Sequence, residues 1–552
     1  MSATRIITRY LLAAVAAVGL TAGIIAGEAP KPAPAPVPAA DGFALPDGSI
    51  VLVVIPNLGQ LLDHAEAVAT TFKPGIAPGS VKAAVGAMLG DPALTKLAAK
   101  PVVLLVGGAG FNVSAAIAVP SKDTASYLAN ALEHGMQGKV VDDLVILGKD
   151  EASLGLADKL VQAVAAAAKD PVQADLRLTL PLSQITKTYG PMVAMFSPMM
   201  IAQMDAKPET KPMAKMMPLI IGGILAGADD VRALRYELTL SAKSIDGSIT
   251  VVGQGALAKA LVAPTVTGEA AAKRFDDQPG MLVAMGGINM AALAVYAQDL
   301  VERLKAKPDC KDLIDAKWSD LIAGLNNNTG EVAMRVRTDK DKPLIGETVV
   351  GVKDPVKALD QMEKEMSWVI DGPLGSMLKA NGVTGVSLKR NGRSVGEVKI
   401  HQIIFAFDPT NTSPEAQALR KAMVEQEVAV VAGQALSSKD PAALDALIAG
   451  KGPGLKVAAV TAFGADQHGY MDLDLIGLIK AQAKTDPNLA LFAGALENAK
   501  SGEPIALAWT IQDGQAVLKG CIPLAPIAEA AKPAMGLFGG GEDPKPAAQP
   551  VF

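Results

Sequence analysis

The chain has 552 residues, 50% of them apolar but only 4% aromatic, and a formal net charge of −5. That length has room for two or three domains, each with its own core of Ala, Val, Leu, Ile and Met. The acidic balance excludes the basic footprint that nucleic-acid binding needs, and four histidines and two cysteines leave little material for metal or thiol chemistry.

Arg5 and Arg9 precede an apolar run, Leu11–Gly27, LLAAVAAVGLTAGIIAG. Basic residues followed by a short apolar run form an export signal. Residues 1–27 therefore read as a signal peptide or, uncleaved, as an N-terminal anchor and membrane tether. The run is short for a spanning helix, which needs about 20 apolar residues, and no Cys follows it to take a lipid. Residues 28–42 contain PKPAPAPVPAA. Proline fixes φ and favours extended polyproline, so this stretch is expected to be a semi-rigid spacer. Residues 532–552 carry GGGEDPKPAAQP and are expected to be a disordered tail.

Between these ends the chain repeats itself. Leu45–Phe72 and Gln278–Leu304 each hold a turn with Gly (Gly48, Gly280), an apolar strand, an Asn (Asn57, Asn289) and a helix. Asn is a good N-cap, so the two stretches predict two copies of one strand–Asn–helix opening. In the first copy, 43–262, PVVLLVGGAGFNVSAAIAV predicts a hairpin and VVDDLVILG a tight strand pair. ADLRLTLPL alternates Leu176, Leu178 and Leu180 with Asp175, Arg177 and Thr179, a half-buried strand with the leucines inward. Two Met-rich helices follow over Pro181–Leu225, then a hairpin turning at Asp246-Gly247. The second copy, 280–531, follows the same order. Strands are expected at LKVAAVTAF and GYMDLDLIGL, an added hairpin at Asn391-Gly392, and a closing hairpin at Asp513-Gly514. The segment 263–279, where periodicity lapses, is expected to link the copies. The fold class is thus α+β: two tandem related domains, each a mainly antiparallel sheet packed with helices. With its signal, Pro/Ala linker and tandem α+β pattern, the chain resembles exported bacterial proteins of unknown function. The resemblance implies the export and the architecture, and no activity.

Gly107-Gly108-Ala109-Gly110 follows a strand as a phosphate loop does, but a second strand follows in place of a helix, so it reads as a hairpin turn. No G-x-S-x-G, S-x-x-K or H-E-x-x-H pattern occurs. His468, Asp472 and Asp474 share one strand face and are the one arguable cation set, set against a plain solvent-facing polar side. Met192, Met195, Met199, Met200, Met204, Met213, Met216 and Met217 form a dense thioether cluster. Thioethers hold copper(I), make adaptable docking surfaces, or simply pack. Cys310 and Cys521 fit a disulfide or two buried thiols. The three tryptophans, all in the second copy, read as core.

The preferred expectation is an exported, non-enzymatic envelope protein without a cofactor, acting through surfaces. Its partner would be an envelope protein or a lipid, and Met199, Met200, Met216 and Met217 are the nominated interaction residues. A carrier of an apolar ligand and a hydrolase with an unrecognised site are the alternatives.

Overall fold

The computed structural model describes residues 46–529 except 47, 74, 110–111, 171, 208–209, 315–316, 340–341, 372–374, 381, 414–415, 418–419, 421–424, 451 and 484–501. The stretches expected to form an export signal, a Pro/Ala spacer and a disordered tail, residues 1–27, 28–42 and 532–552, lie outside the described residues.

The fold is α+β, built, among the described residues, on one large antiparallel sheet of eighteen strands. The first half supplies β1 (Ser49–Ile55), β2 (Val102–Ala109), β3 (Asn112–Pro120), β4 (Gln137–Val141), β5 (Leu144–Gly148), β6 (Leu176–Leu180), β7 (Val231–Leu240) and β8 (Ser244–Gly253). The second half supplies β9 (Leu282–Gly287), β10 (Asn328–Asp339), β11 (Lys342–Val352), β12 (Val383–Val395), β13 (Val398–Phe407), β14 (Gln426–Val431), β15 (Gln434–Ser438), β16 (Gly469–Leu473), β17 (Ile505–Gln512) and β18 (Gln515–Pro523). Hydrogen bonding runs β4-β5-β3-β2-β1-β6-β7-β8. It crosses to the second half at β8–β18 and continues β18-β17-β16-β9-β10-β11-β15-β14-β13-β12.

Local chemistry sets many element ends. The Asn57 side chain accepts from Gln60 N at 3.0 Å and opens helix Leu58–Phe72, and Asn289 accepts from Ala292 N at 3.1 Å and opens helix Met290–Lys305. Each satisfies an N–H that the first helical turn leaves without a partner. Asp123, Asp150 and Asp440 do the same elsewhere. Asp513 and Gly514, at φ 53° and 74°, make the two-residue turn between β17 and β18.

Helices then bury the apolar strand faces. Leu160, Ala163 and Val164 of helix Ala157–Lys169 pack on Leu52, Leu105 and Ile146. Leu444 and Leu447 of helix Pro441–Ala449 pack on Val349 and Leu436.

Several expectations are corrected. Asp246-Gly247 lies inside β8; the turn is at Ser241–Lys243, where the Ser241 hydroxyl accepts from the N–H groups of Lys243 and Ser244 at 3.2 and 2.9 Å. A serine hydroxyl that holds the local backbone sets that turn in place of glycine. Asn391-Gly392 sits within β12 where its register shifts, and the chain reverses after Val395, at Gly396 with φ 57°. In LKVAAVTAF, Ala459–Phe463 is a short helix, because the Asp472 carboxylate accepts from the N–H groups of Ala458 and Ala459. At β6 the leucines are not the buried side: Asp175, just before the strand, and Thr179 are buried, while Arg177 and the three leucines are half-buried.

The stretch read as a linker carries helix Glu269–Ala272, and its Ala271 and Phe275 are fully buried in the second half's core. Arg335, itself 1% exposed, ties that stretch down. It donates to Asp276 Oδ1 at 2.5 Å and to Glu347 Oε2 at 2.6 Å.

Candidate interaction surface

Each residue of the arguable cation set holds backbone. His468 Nδ1 accepts from Ile511 N at 2.9 Å, and Asp474 accepts from Gly477 N at 2.8 Å at the start of helix Leu475–Ala483. Asp472 caps helix Ala459–Phe463, and burial pushes its carboxyl above the usual range despite the two N–H donors. Tyr470 and Asp472 are buried, which corrects the expectation of a solvent-facing side. Among the described residues no three His, Cys, Asp or Glu side chains converge as a metal site.

The other three histidines also have structural partners. His64 Nδ1 lies 2.9 Å from Asp175 Oδ2, and the same carboxylate accepts from Leu240 N at 2.8 Å, so Asp175 joins the first helix to β6 and β7. His134 Nδ1 lies 2.8 Å from Asn130 O at a helix end, and His401 Nδ1 accepts from Asn391 N at 3.3 Å in the β12 bulge. Cys310 and Cys521 are both free thiols; Cys310 is buried and donates to Pro218 O at 3.4 Å. Trp318 and Trp368 meet edge to face with centroids 5.4 Å apart. The Trp509 ring lies over Gly286 and Gly469, where any Cβ would collide with it.

A depression lined by Leu473, Ile476, Ile479, Ile505 and Pro523 has about 90 Å³ of room. A site for a small molecule takes roughly 300–1,000 Å³.

The Met-rich segment is different. It forms helix Leu182–Asp205, a short turn Lys211–Ala214 and helix Met217–Asp229. The first helix packs on helix Met217–Asp229, β7 and β1, and at its start Pro181 and Ser183 are buried. From Val193 to Met200 every residue is exposed except the half-buried Ser197. Met195 is 63% exposed and Met199 58%, with Phe196 and Met200 above 40%. No charged residue stands between Lys187 and Asp205. A helix that is apolar all round is normally buried, so its exposure is the anomaly of this molecule.

The four nominated methionines separate. Met199 and Met200 are exposed, Met217 is half-buried, and Met216 is 7% exposed. Met216 packs with Leu219, Val301, Leu304 and Cys310, so it is core, and its nomination as a surface residue is corrected. Helix Met290–Lys305 of the second half supplies Val301 and Leu304, and nothing near Met216 in the sequence announces them. Val193, Phe196, Ile220 and Ile224 are exposed and apolar but were not among the residues nominated from sequence. The charge-free run between Lys187 and Asp205 is the signal that would have found the first two.

Comparison with protein-family models, with curated proteins and with solved structures found no match. The surface must be read from its own chemistry.

Proposed function

We propose that this chain is an exported, non-enzymatic envelope protein of two related α+β domains that works by binding through the exposed half of helix Leu182–Asp205. The observation that carries the reading is that exposed, uncharged helical run, Val193–Met200. Monomers seldom leave a large apolar patch in water without a partner for it.

Tandem domains are supported by the pairing order. On one side of the central junction it is β3-β2-β1-β6-β7-β8, and on the other β11-β10-β9-β16-β17-β18. The junction itself has the form of an isologous contact. Ser244 opens β8 as Gln515 opens β18, and the pairs Val252↔Gln515 and Ser244↔Pro523 are images of each other under that correspondence. The hairpin β12–β13 is then an addition to the second copy. Export rests on Arg5, Arg9 and the Leu11–Gly27 run.

The test is the double substitution M199Q/M200Q in the full chain. It is expected to leave the melting temperature within the range of a surface change, about ±0.5 kcal/mol per site, and to release the chain from the cell-envelope fraction. Unchanged recovery with that fraction, at unchanged stability, would remove the binding role.

A further inference from the structure

We infer that the occupant of this surface is an anionic lipid bilayer, into whose headgroup layer the far half of helix Leu182–Asp205 inserts as a wedge. The inference rests on the reading of that helix as the binding surface.

The directions of the exposed side chains come first. At about 100° per residue, the large side chains of Val193, Met200, Phe196, Met199 and Met195 fan over about 160°, and the exposed Ala194 and Pro198 lie on the remaining side. All five are exposed. A groove on a protein partner covers one side of a helix and leaves the other wet. A bilayer surface surrounds an inserted helix and takes both sides.

The backbone gives a second, independent indication. Pro198 stands inside the helix and has no N–H for the carbonyl of Ala194. The Ser197 hydroxyl donates to that carbonyl at 3.1 Å. In water a freed carbonyl finds a solvent partner at no cost. In lipid it must be satisfied from within, and Ser and Thr side chains are the usual means of tolerating proline there.

Charge complements the apolar run. Lys187 stands before it, and Lys207, Lys211 and Lys215 follow it, all exposed. Only Asp205 and Glu209 oppose them in the segment, in a chain whose overall charge is −5. Lysines flanking an apolar insertion lay their stems along it and hold their ammonium groups among anionic headgroups. The depth is limited. Pro191–Asp205 rises about 22 Å against a hydrocarbon core of about 30 Å. Among the described residues no helix is long and apolar enough to cross a membrane. The segment lies in the interface and does not span it.

The experiment places an indole in the wedge with Phe196→Trp in the full chain. It is mixed with vesicles of phosphatidylcholine and phosphatidylglycerol whose acyl chains are brominated. The added emission is expected to shift to the blue and to be quenched, and phosphatidylcholine alone is expected to give a much weaker response. On that background M199Q/M200Q should lower partitioning by about tenfold or more, since both half-exposed thioethers leave the apolar layer. K207Q/K211Q/K215Q should lower it about fivefold per charge removed, and near-ultraviolet circular dichroism checks that each variant is folded. An unquenched indole on a chain that still floats with the vesicles would place the membrane attachment elsewhere and overturn the inference. If M199Q/M200Q releases the chain from the envelope fraction while vesicles neither bind nor quench, the surface takes a protein, and the lipid assignment alone fails. If neither assay responds, both readings fall.

Discussion

One face of helix Met217–Asp229 and the far half of helix Leu182–Asp205 are both apolar, and the fold treats them oppositely. In the first, Met216 at its N-cap with Leu219 and Ala226 meets Ala294, Val301, Leu304 and Cys310 from the second half. In the second, Val193, Met195, Phe196, Met199 and Met200 are exposed. Apolar composition makes both surfaces adhesive; a distant element covers one and leaves the other. The body of the molecule and its exposed helix should therefore answer differently to the same chemical change.

The largest expected effect lies wholly in the body. Arg335→Ala leaves Glu347 buried at 1% side-chain exposure with Arg337 beside it, and takes the guanidinium from Asp276. Breaking a buried ion pair from one side costs about 3–5 kcal/mol, which chemical denaturation reads directly. The exposed helix has no counterpart, since its run carries no charge.

Met216→Gln tests the boundary between the two regions. It buries an amide with no partner against Leu304 and Cys310 and should cost about 3 kcal/mol. The Met199/Met200 pair should cost little. A melting temperature for M216Q equal to wild type would mean that the two helices do not differ as described.

The body should also carry a pH dependence. Burial pushes Glu365 well above its ordinary value of 4.5, and the one hydrogen bond from Gln361 does not offset it. Its second carboxyl oxygen has no partner among the described residues. Above about pH 4.5 the unfolded carboxyl gives up its proton while the folded one keeps it, so unfolding releases a proton. Stability therefore falls as pH rises, by about 1.4 kcal/mol per pH unit, until the folded group itself ionises. Glu365→Gln should flatten that part of the profile. An identical slope in the variant would show that this carboxyl does not set it.

The smallest effect separates two faces of one helix. A Cβ at Gly222 would come within 3.0 Å of Cys310 Sγ, whereas a Cβ at Gly223 meets nothing within 4 Å. Gly223→Ala should stabilise by about 0.5–1 kcal/mol through helix propensity. Gly222→Leu should destabilise. Equal changes at both sites would erase the distinction between the covered and uncovered faces.

Much of the body was legible in the sequence because its signals are local. Asn57 and Asn289 cap the helices they precede, Asp142-Asp143 and Asp513-Gly514 turn the hairpins they join, and the Met-rich segment divides into separate helices between Asp205 and Lys211. These rest on hydrogen bonds between residues two to four apart, and on φ at a single position, so a short window contains the whole cause.

The tertiary structure decided everything that depends on coverage. Asp175 is buried because His64, 111 residues away, and the backbone of Leu240 hold it, and Asp472 because two N–H groups from another element point at it. The same rule sorts the methionines: Met216 is core because the second half lies on it, and Met199 and Met200 are exposed because nothing among the described residues does. Periodicity fixes which residues share a face. Whether that face meets water, a carboxylate's partner or another helix is set by segments far away along the chain, through contacts that no local pattern encodes.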